Sequence, residues 1–324
     1  MPRSARLDTP DLLQHVIVRG VELSDIFRDD NDRSRFVSKL SRLLTQAGTE
    51  CLAWALMSNH FHLLLRPRGT RLAPLMRRLL TGYAIYFNLR HQRSGHLFQN
   101  RYKSIVCEEE SYLLELVRYI HLNPLRAGIV SDLAALEHYP WSGHRVIMGN
   151  GKMEGQAVDE LLLYFGKGKR EAREKYRQFV ADGMAMGKRE ELGSGRRMRQ
   201  YAPDERGEEP YDARILGSGD FILKLQQRRE LTDHLPRGVA IGAIVARVCD
   251  HFGIEPGMLR LNSRAAAIAA ARSVVCYLAV RRAGRSGAEV GRHINLRRAG
   301  VSVAAGRGEK LVLNNPALQE LLDR

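Results

Sequence analysis

Two histidines separated by one residue stand inside an apolar run near residue 60. In an extended strand alternate side chains share a face, so His60 and His62 point the same way and Phe61 points the opposite way. Two neutral imidazoles on one face can serve as a pair of metal ligands. The same spacing also occurs where both histidines are merely hydrogen-bonded within a strand, so the pair alone indicates a metal site only weakly.

A tyrosine and an asparagine four residues apart supply further reactive groups. The segment from Glu108 begins with acidic residues, which favour a helix N-terminus, and continues with apolar residues at helical spacing. Pro124 disfavours helical geometry at the residue before it, so this helix is expected to end near Asn123. Tyr119 and Asn123 then share one face in adjacent turns, which places an oxygen nucleophile beside an amide oxygen that can act as a third metal ligand. A helical tyrosine is more often a packing residue, so this pair also needs support from elsewhere.

The surrounding pattern predicts the elements that position these four side chains. We expect strands at 12–21, 51–57, 60–65 and 96–106, and helices at 32–46 and 72–90, ahead of the tyrosine-bearing helix. This βαββαβ order is typical of an α+β, ferredoxin-like (split βαβ) domain with an antiparallel sheet and helices on one face. The two histidines would lie near the centre of the open face, where the Tyr119 helix has to pack if it is to reach them.

Four segments in order, SNHFHLLL, GHLFQNRYKS, YIHLNPLRAG and YPWSGHR, resemble a known enzyme family. They are similar to the single-tyrosine HUH transposases, and within that group to the REP-associated tyrosine transposases, over residues 14–145. The resemblance implies the same fold, His60, His62 and Asn123 as ligands of Mg²⁺ or Mn²⁺, and Tyr119 as the nucleophile. It implies an endonuclease and transposase that cleaves and rejoins single-stranded DNA through a 5′-phosphotyrosine, at hairpin-forming repeats. Ligand chemistry alone ranks manganese above magnesium, because imidazole suits softer metals.

Alternatives stay open on the sequence. A sequence-specific DNA-binding regulator with an unused catalytic domain would have no need of all four reactive groups. A zinc hydrolase built on the histidine pair is a weaker alternative. Tyr112 and Tyr102 compete with Tyr119 as nucleophile, and the asparagine four residues after Tyr119 favours Tyr119.

The composition indicates a polyanionic partner. The 324-residue chain has a formal net charge of +15 and a pI near 10.0, which favours nucleic acid or an anionic membrane surface. No apolar run approaches the ~20 residues that span a bilayer, and the first residues lack the apolar core of a secretion signal. We therefore expect DNA as the partner, no membrane association, and a cytoplasmic, nucleoid-associated protein. The four cysteines lack C-x-x-C pairing and are expected to be small core residues.

Basic and aromatic residues alternate between Gly82 and Lys103. Basic side chains neutralise phosphates and aromatic faces stack on unpaired bases, so Arg93, Arg101 and Lys103 are expected to contact single-stranded or hairpin DNA. A solvated basic face over ordinary core aromatics explains the same pattern, and the role of His96 stays open.

The chain is expected to divide into three parts. Residues 1–150 form the HUH domain, residues 151–210 a helical extension and a flexible charged linker, and residues 211–324 an all-α DNA-binding domain. The linker is expected at 187–209, which is charged, glycine-rich and poor in apolar residues. A homodimer, with an active site shared between two copies, is left open.

The last part carries the pattern of a helix-turn-helix, namely a short helix, a turn and a basic helix start. It resembles the DNA-binding domain of the bacterial replication initiator. Arg297, Arg298 and Ser302 are expected to contact DNA, with duplex DNA as the partner considered for this domain. Gly300 and Gly306 depart from a good reading helix, since each costs ~1 kcal/mol relative to alanine.

Overall fold

The computed structural model describes residues 6–187, 192, 212, 214–228, 231, 239–261, 263, 265–285, 287–319 and 321. By internal contacts the chain divides into two units, one of residues 6–199 with 213–217 and another that includes residues 218–324. The linker expected at 187–209 lies outside the described residues, apart from Gly187 and Leu192. Among the described helices, none has the length and apolar character needed to cross a membrane.

The first unit is an α+β domain built on one sheet. Its described strands are β1 (Leu13–Arg19), β2 (Thr49–Leu56), β3 (His60–Pro67), β4 (Lys103–Cys107) and β5 (Ile215–Leu216), in the order β2-β3-β1-β4-β5. The first four pair antiparallel, whereas β5 is parallel to β4. Helix α1 (Asp30–Ala47) joins β1 to β2, and helix α2 (Leu72–Arg90) joins β3 to β4. This is the expected ferredoxin-like arrangement of two split βαβ units.

Helices α1 and α2 cover one face of the sheet. Strand residues such as Val16, Trp54 and Phe61 pack there against α1 and α2 in a continuous buried core. The Phe61 ring lies 4.7 Å from the Phe36 ring of α1, measured between centroids. Because Phe61 faces this core, the residues on either side of it in β3 face the opposite side of the sheet.

The opposite face carries helix α3 (Glu109–His121), which presents a buried apolar stripe to the sheet. The chain continues through α4 (Asn123–Arg126), α5 (Leu133–His138), α6 (Gly143–Met148), α7 (Val158–Leu163) and α8 (Lys169–Asp182). Two buried histidines, His121 of α3 and His144 of α6, hydrogen-bond through Nδ1 to the Tyr176 hydroxyl of α8, at 2.7 and 3.0 Å. These contacts hold α3 between the sheet and α8. Helices α7 and α8 lie in the part of the chain expected to form a helical extension.

A buried arginine fixes the start of α3 to the sheet. Arg66 of β3 is 4% exposed and pairs with Glu50 at 2.7 Å, and also with Glu109 and Glu160. Glu109 is the first residue of α3, so this ion cluster ties the tyrosine helix to the strand that carries the two histidines.

Two expected boundaries are corrected by the structure. The strand expected at 96–106 is confined to β4, because β1, its partner, ends at Arg19 and residues 96–100 run past that end. A single bridge between Gly20 and Phe98 holds the preceding loop. Helix α3 ends at His121, and Asn123 begins the short α4, whose first turn contains Pro124.

The described part of the second unit is helical. It contains α9 (Gly219–Gln226), α10 (Ile241–Phe252), α11 (Ala266–Tyr277) with a π turn at Leu278–Arg282, α12 (Gly287–Ile294), α13 (Arg298–Leu313) and α14 (Pro316–Gln319). Gly253, at φ +62°, ends α10. Gly300 and Gly306 do not interrupt α13. Gly308 permits the close packing of α13 on α11, since a Cβ there would lie 1.9 Å from the Ser273 carbonyl oxygen.

Candidate active site

The two histidines of β3 lie on the α3 side of the sheet, in an inner strand. His60 is half-buried and His62 is 3% exposed, with ring centroids 5.4 Å apart. Across the pairing with β1, Arg19 stands opposite His60 and Ile17 stands opposite His62. The pair is therefore held by a rigid, fully paired part of the sheet.

Tyr119 of α3 packs beside His62 within the same chain. Its ring centroid lies 5.8 Å from that of His62 and 6.0 Å from that of His15, and its plane is nearly perpendicular to both imidazoles. The guanidinium carbon of Arg126 lies 5.9 Å from the Tyr119 ring centroid. Arg126 belongs to the Asn-Pro-x-Arg-x-Gly turn that follows α3, so this turn orients the tyrosine ring.

Asn123 lies directly after α3 and is tied to the tyrosine. Its side-chain Nδ2 donates a hydrogen bond to the Tyr119 carbonyl oxygen at 3.1 Å. Because the amide nitrogen is used in this bond, the side-chain oxygen is the atom that Asn123 can offer to a cation.

The imidazoles are held in the neutral form. Burial, reinforced by the charge of Arg19, lowers the pKa of His60 to about 4. Burial and the neighbouring basic groups lower the pKa of His62 well below its usual value. A neutral imidazole is the form that binds a metal, so both rings are ready for ligation at neutral pH.

His15 of β1 completes the cluster, and sequence analysis missed it. It is fully buried, its ring stacks on that of His62 with centroids 5.1 Å apart, and its Nε2 lies 2.9 Å from His62 Nδ1. Burial lowers the pKa of His15 to about 4, although its hydrogen bond to the Leu192 carbonyl opposes the shift. Alternation along β1 places His15, Ile17 and Arg19 on one face. If β1 had been predicted to pair with β3, this alternation would have placed His15 on the same face of the sheet as His62.

The donor set fits a divalent cation. It consists of two neutral imidazoles and one amide oxygen, all without charge. Within the described ranges no group of three or more His, Cys, Asp and Glu side chains gathers to hold a metal. A cation on His60, His62 and Asn123 would therefore keep its full charge for an anionic substrate, and the nitrogen-rich set suits Mn²⁺ better than Mg²⁺.

The expected DNA-contacting residues separate into two groups. Lys103 of β4 pairs with Ile17 of β1, which pairs on its other side with His62 of β3. The charge of Lys103 contributes to the lowered pKa of His62. Partial burial, together with Arg19, in turn lowers the pKa of Lys103. Arg101, two residues earlier, is exposed. Arg93 instead follows α2 and packs over Phe87, in the layer on the other face of the sheet.

The competing tyrosines lie elsewhere. Tyr102 belongs to the core beneath α1 and α2, where it is 7% exposed and Arg6 stacks on it at 3.8 Å. Tyr112 lies seven residues before Tyr119 on α3, which is roughly 10 Å along the helix axis. Tyr119 is the tyrosine whose ring meets the imidazoles.

The second unit contains the geometry of a helix-turn-helix in α12 and α13. Asn295 adopts a left-handed conformation in the turn, at φ +54°, and the Leu296 amide donates to the Gly291 carbonyl at 2.9 Å. Gly291 is required there, because a Cβ would lie 2.2 Å from the Leu296 carbonyl oxygen. Arg297 occupies the position just before α13 and is exposed.

Ser302 is half-buried one turn further along α13. The backbone of Arg298 opens this helix, while its side chain lies outside the described part.

Comparisons with known proteins find similarity to both parts of the chain. Residues 9–123 match the model of IS200-like transposases, and residues 241–305 match that of the bacterial dnaA protein helix-turn-helix. A solved REP-associated tyrosine transposase bound to a REP hairpin is 17% identical, covers 47% of this chain and 87% of its own, and has a TM-score of 0.38. No curated protein matches. The chain thus contains one segment, residues 9–123, that is similar to IS200-like transposases, and a second, residues 241–305, that is similar to the DnaA helix-turn-helix.

Proposed function

We propose that this chain is a metal-dependent transposase that cleaves and rejoins single-stranded DNA through a covalent bond to Tyr119. The observation that carries the proposal is the meeting of the Tyr119 ring with His62, 5.8 Å apart, across the interface between α3 and the sheet. A phenol beside a neutral imidazole, with a second imidazole on the same strand and an amide oxygen just after the tyrosine helix, supplies the groups that a phosphoryl-transfer site requires.

The chemistry is a transesterification. The Tyr119 oxygen forms a bond to the scissile phosphorus while the bond from phosphorus to the 3′ oxygen breaks. The phenol gives up its proton and the departing 3′ oxygen gains one, so the products are a 5′-phosphotyrosine and a free 3′-hydroxyl. Because a phosphodiester is exchanged for a phosphodiester, a second 3′-hydroxyl can attack the adduct and rejoin the strand without ATP.

The protein residues of the site hold and orient the reacting groups. His60, His62 and Asn123 would hold the cation, which when bound would polarise a phosphate oxygen as a Lewis acid. Arg126 orients the Tyr119 ring, and Lys103 and Arg19 provide positive charge on the same face as the imidazoles. Positive charge at this face binds and orients the DNA backbone.

We further propose a hairpin-forming repeat as the substrate. The exposed Arg101 beside Lys103 supports this proposal, because the two basic residues supply a path for the DNA backbone leading to the site. The second unit would bind duplex DNA through the start of α13. These partners imply a cytoplasmic, nucleoid-associated enzyme.

A denaturing gel tests the proposal. The probes are single-stranded hairpins with randomised flanks, labelled either at the 3′ end or at the 5′ end, incubated with the full chain in Mn²⁺, Mg²⁺ or EDTA. A 5′-phosphotyrosine retains the 3′-side fragment, so the 3′ label should move with the protein and the 5′ label should not. The adduct should need the metal and should be lost by at least about 1000-fold in Tyr119→Phe.

Tyr112→Phe is the matched control, since it removes a hydroxyl from the same helix and should retain the adduct. An adduct that persists in Tyr119→Phe, or one that carries the 5′ label, would refute the assignment. Hairpin binding without adduct under every metal condition would instead favour a DNA-binding regulator.

A further inference from the structure

We propose that His15 and Asn59 are positioning residues that fix the tautomers of the two ligand histidines, so that both present Nε2 to the cation. The inference rests on the proposed function for the role of His60 and His62. The tautomers themselves follow from hydrogen bonds that are independent of that function.

Each ligand histidine is connected by hydrogen bonds through one side chain to a backbone carbonyl, and we call such a connection a relay. The first relay runs from His62 through His15 to the Leu192 carbonyl. The Leu192 carbonyl can only accept a hydrogen bond, so the His15 Nδ1 that lies 3.0 Å from it must carry the proton. His15 Nε2 is then the acceptor nitrogen, and His62 Nδ1, at 2.9 Å, must donate to it. A neutral His62 that carries its proton on Nδ1 has its lone pair on Nε2.

The second relay reaches the same result by different residues. Asn59 Nδ2 donates to the Leu23 carbonyl oxygen at 3.0 Å, which identifies the amide nitrogen. The other side-chain atom, Oδ1, therefore faces His60 Nδ1 at 2.7 Å and can only accept. His60 must carry its proton on Nδ1, and its lone pair is on Nε2.

The two relays share one design. Each runs from a ligand imidazole through one polar side chain to a backbone carbonyl, Leu192 for His62 and Leu23 for His60. A backbone carbonyl cannot donate, so neither relay can reverse its direction. The first relay is also rigid, because His15 is fully buried and its ring is stacked on that of His62.

As a consequence, both histidines have the Nε2 lone pair available before the cation binds. A ligand histidine in the opposite tautomer would direct an N–H toward the cation and would have to exchange its proton first. Hydrogen-bond partners of this kind change metal affinity by about 10- to 100-fold in other metal sites.

Substitution of His15 separates the relay from simple packing. His15→Met fills the space with a thioether that accepts only weakly and cannot donate, whereas His15→Gln can accept from His62 with Oε1 and donate to the Leu192 carbonyl with Nε2. In an EPR titration of the DNA-free full chain with Mn²⁺, we expect His15→Met to weaken binding by about 10-fold or more. His15→Gln should stay within about 3-fold of the wild type, which sterics alone would not predict.

A second measurement does not depend on any variant folding. Long-range ¹H–¹⁵N spectra of the metal-free, ¹⁵N-histidine-labelled chain should show protonated Nδ1 and unprotonated Nε2 for both His60 and His62. Protonated Nε2 at either residue, or unchanged Mn²⁺ affinity in a folded His15→Met chain, would overturn the inference. Correct tautomers with no hairpin cleavage would instead refute the proposed function and leave the relays standing.

Discussion

At the scale of single residues, the proposed metal ligands carry no negative charge. Two imidazoles and an amide oxygen form a neutral donor set, and the groups around them, Arg19 and Lys103, are basic. Such a set leaves an anionic phosphate as the natural charge partner of the cation. The charge of the ligand set can be changed at Asn123 with little change of structure, because Asp has the same shape as Asn.

Substitutions of Asn123 should therefore change which metal binds. Asn123→Ala removes one ligand and should weaken Mn²⁺ and Mg²⁺ alike, by about 10-fold. Asn123→Asp adds a charged oxygen, which Mg²⁺ prefers, and should improve Mg²⁺ binding relative to Mn²⁺. Titration calorimetry with each metal in the absence of DNA measures both effects. If Asn123→Ala binds both metals as the wild type does, Asn123 is not a ligand.

Prediction from the sequence worked best where the information is local. The strand alternation of His60, Phe61 and His62 and the four-residue spacing of Tyr119 and Asn123 are short-range patterns, and the Tyr119 ring does lie beside that of His62. His15 escaped because its role depends on β1 lying beside β3, 47 residues away in the chain. A single histidine in an apolar strand carries no periodic signal of such a contact.

The overlong strand expected at 96–106 was wrong for a related reason. An apolar and aromatic pattern indicates which residues favour a strand, but it does not show where the partner strand ends. The contact of Asn59 with Leu23 is equally hidden, since it depends on a short turn in which Glu22 and Leu23 adopt left-handed φ angles of 51° and 61°.

At the scale of elements, the proposed reaction depends on the position of α3 against β3. The C-terminal end of α3 carries Tyr119, while its N-terminal end is held by Glu109 in the ion cluster around Arg66. Arg66 is almost completely buried, whereas its carboxylate partners are about one-third exposed. Loss of the arginine would leave three carboxylates close together without their central charge.

We expect Arg66→Met to destabilise the first unit by about 2–4 kcal/mol and to slow cleavage more than it weakens hairpin binding. The matched control is Arg68→Met, since Arg68 pairs with the same Glu50 at 2.9 Å but is half-exposed, and its loss should cost less than about 1 kcal/mol. Urea unfolding and single-turnover cleavage measure the two effects. Equal effects of the two substitutions would contradict a role for the buried cluster.

At the scale of the whole molecule, unfolding of the first unit can be followed on its own. Both tryptophans, Trp54 and Trp141, belong to the first unit, so their fluorescence reports its unfolding alone. The first unit also buries several neutral imidazoles. Burial lowers the pKa of His15 and of His144 from 6.5 to about 4.

These imidazoles predict a loss of stability in mild acid. The unfolded chain takes up protons below pH 6.5, whereas the folded chain keeps His15 and His144 neutral to about pH 4, so stability is full above pH 6.5 and falls as the pH drops toward 4. At pH 5 each of these two histidines should lower the free energy of unfolding by about 2 kcal/mol. His144→Gln should therefore reduce the loss between pH 7.5 and 5, measured by tryptophan fluorescence in urea. An unchanged loss would show that His144 is not held neutral.

The second unit should bind duplex DNA through the start of α13. Double substitution of Arg297 and Arg298 by alanine should weaken duplex binding and reduce the slope of log affinity against log salt by about 2. Arg307→Ala, on an exposed position later in the same helix, is the control and should leave the slope unchanged. Adduct formation with a single-stranded hairpin should be retained in the double variant. An unchanged salt slope in that variant would place the duplex contact elsewhere.

The two-residue strand β5 determines where the chain can be truncated if the first unit is to be expressed alone. The backbone amides of Val106 and Glu108, the latter just before α3, donate to the carbonyls of Arg214 and Leu216 at 2.8 Å. A truncation after α8 would strip these acceptors from the edge of the sheet and leave β4 open to strand exchange with another molecule. An expression fragment intended to isolate the nuclease should therefore extend past Gly217, and a shorter one should aggregate.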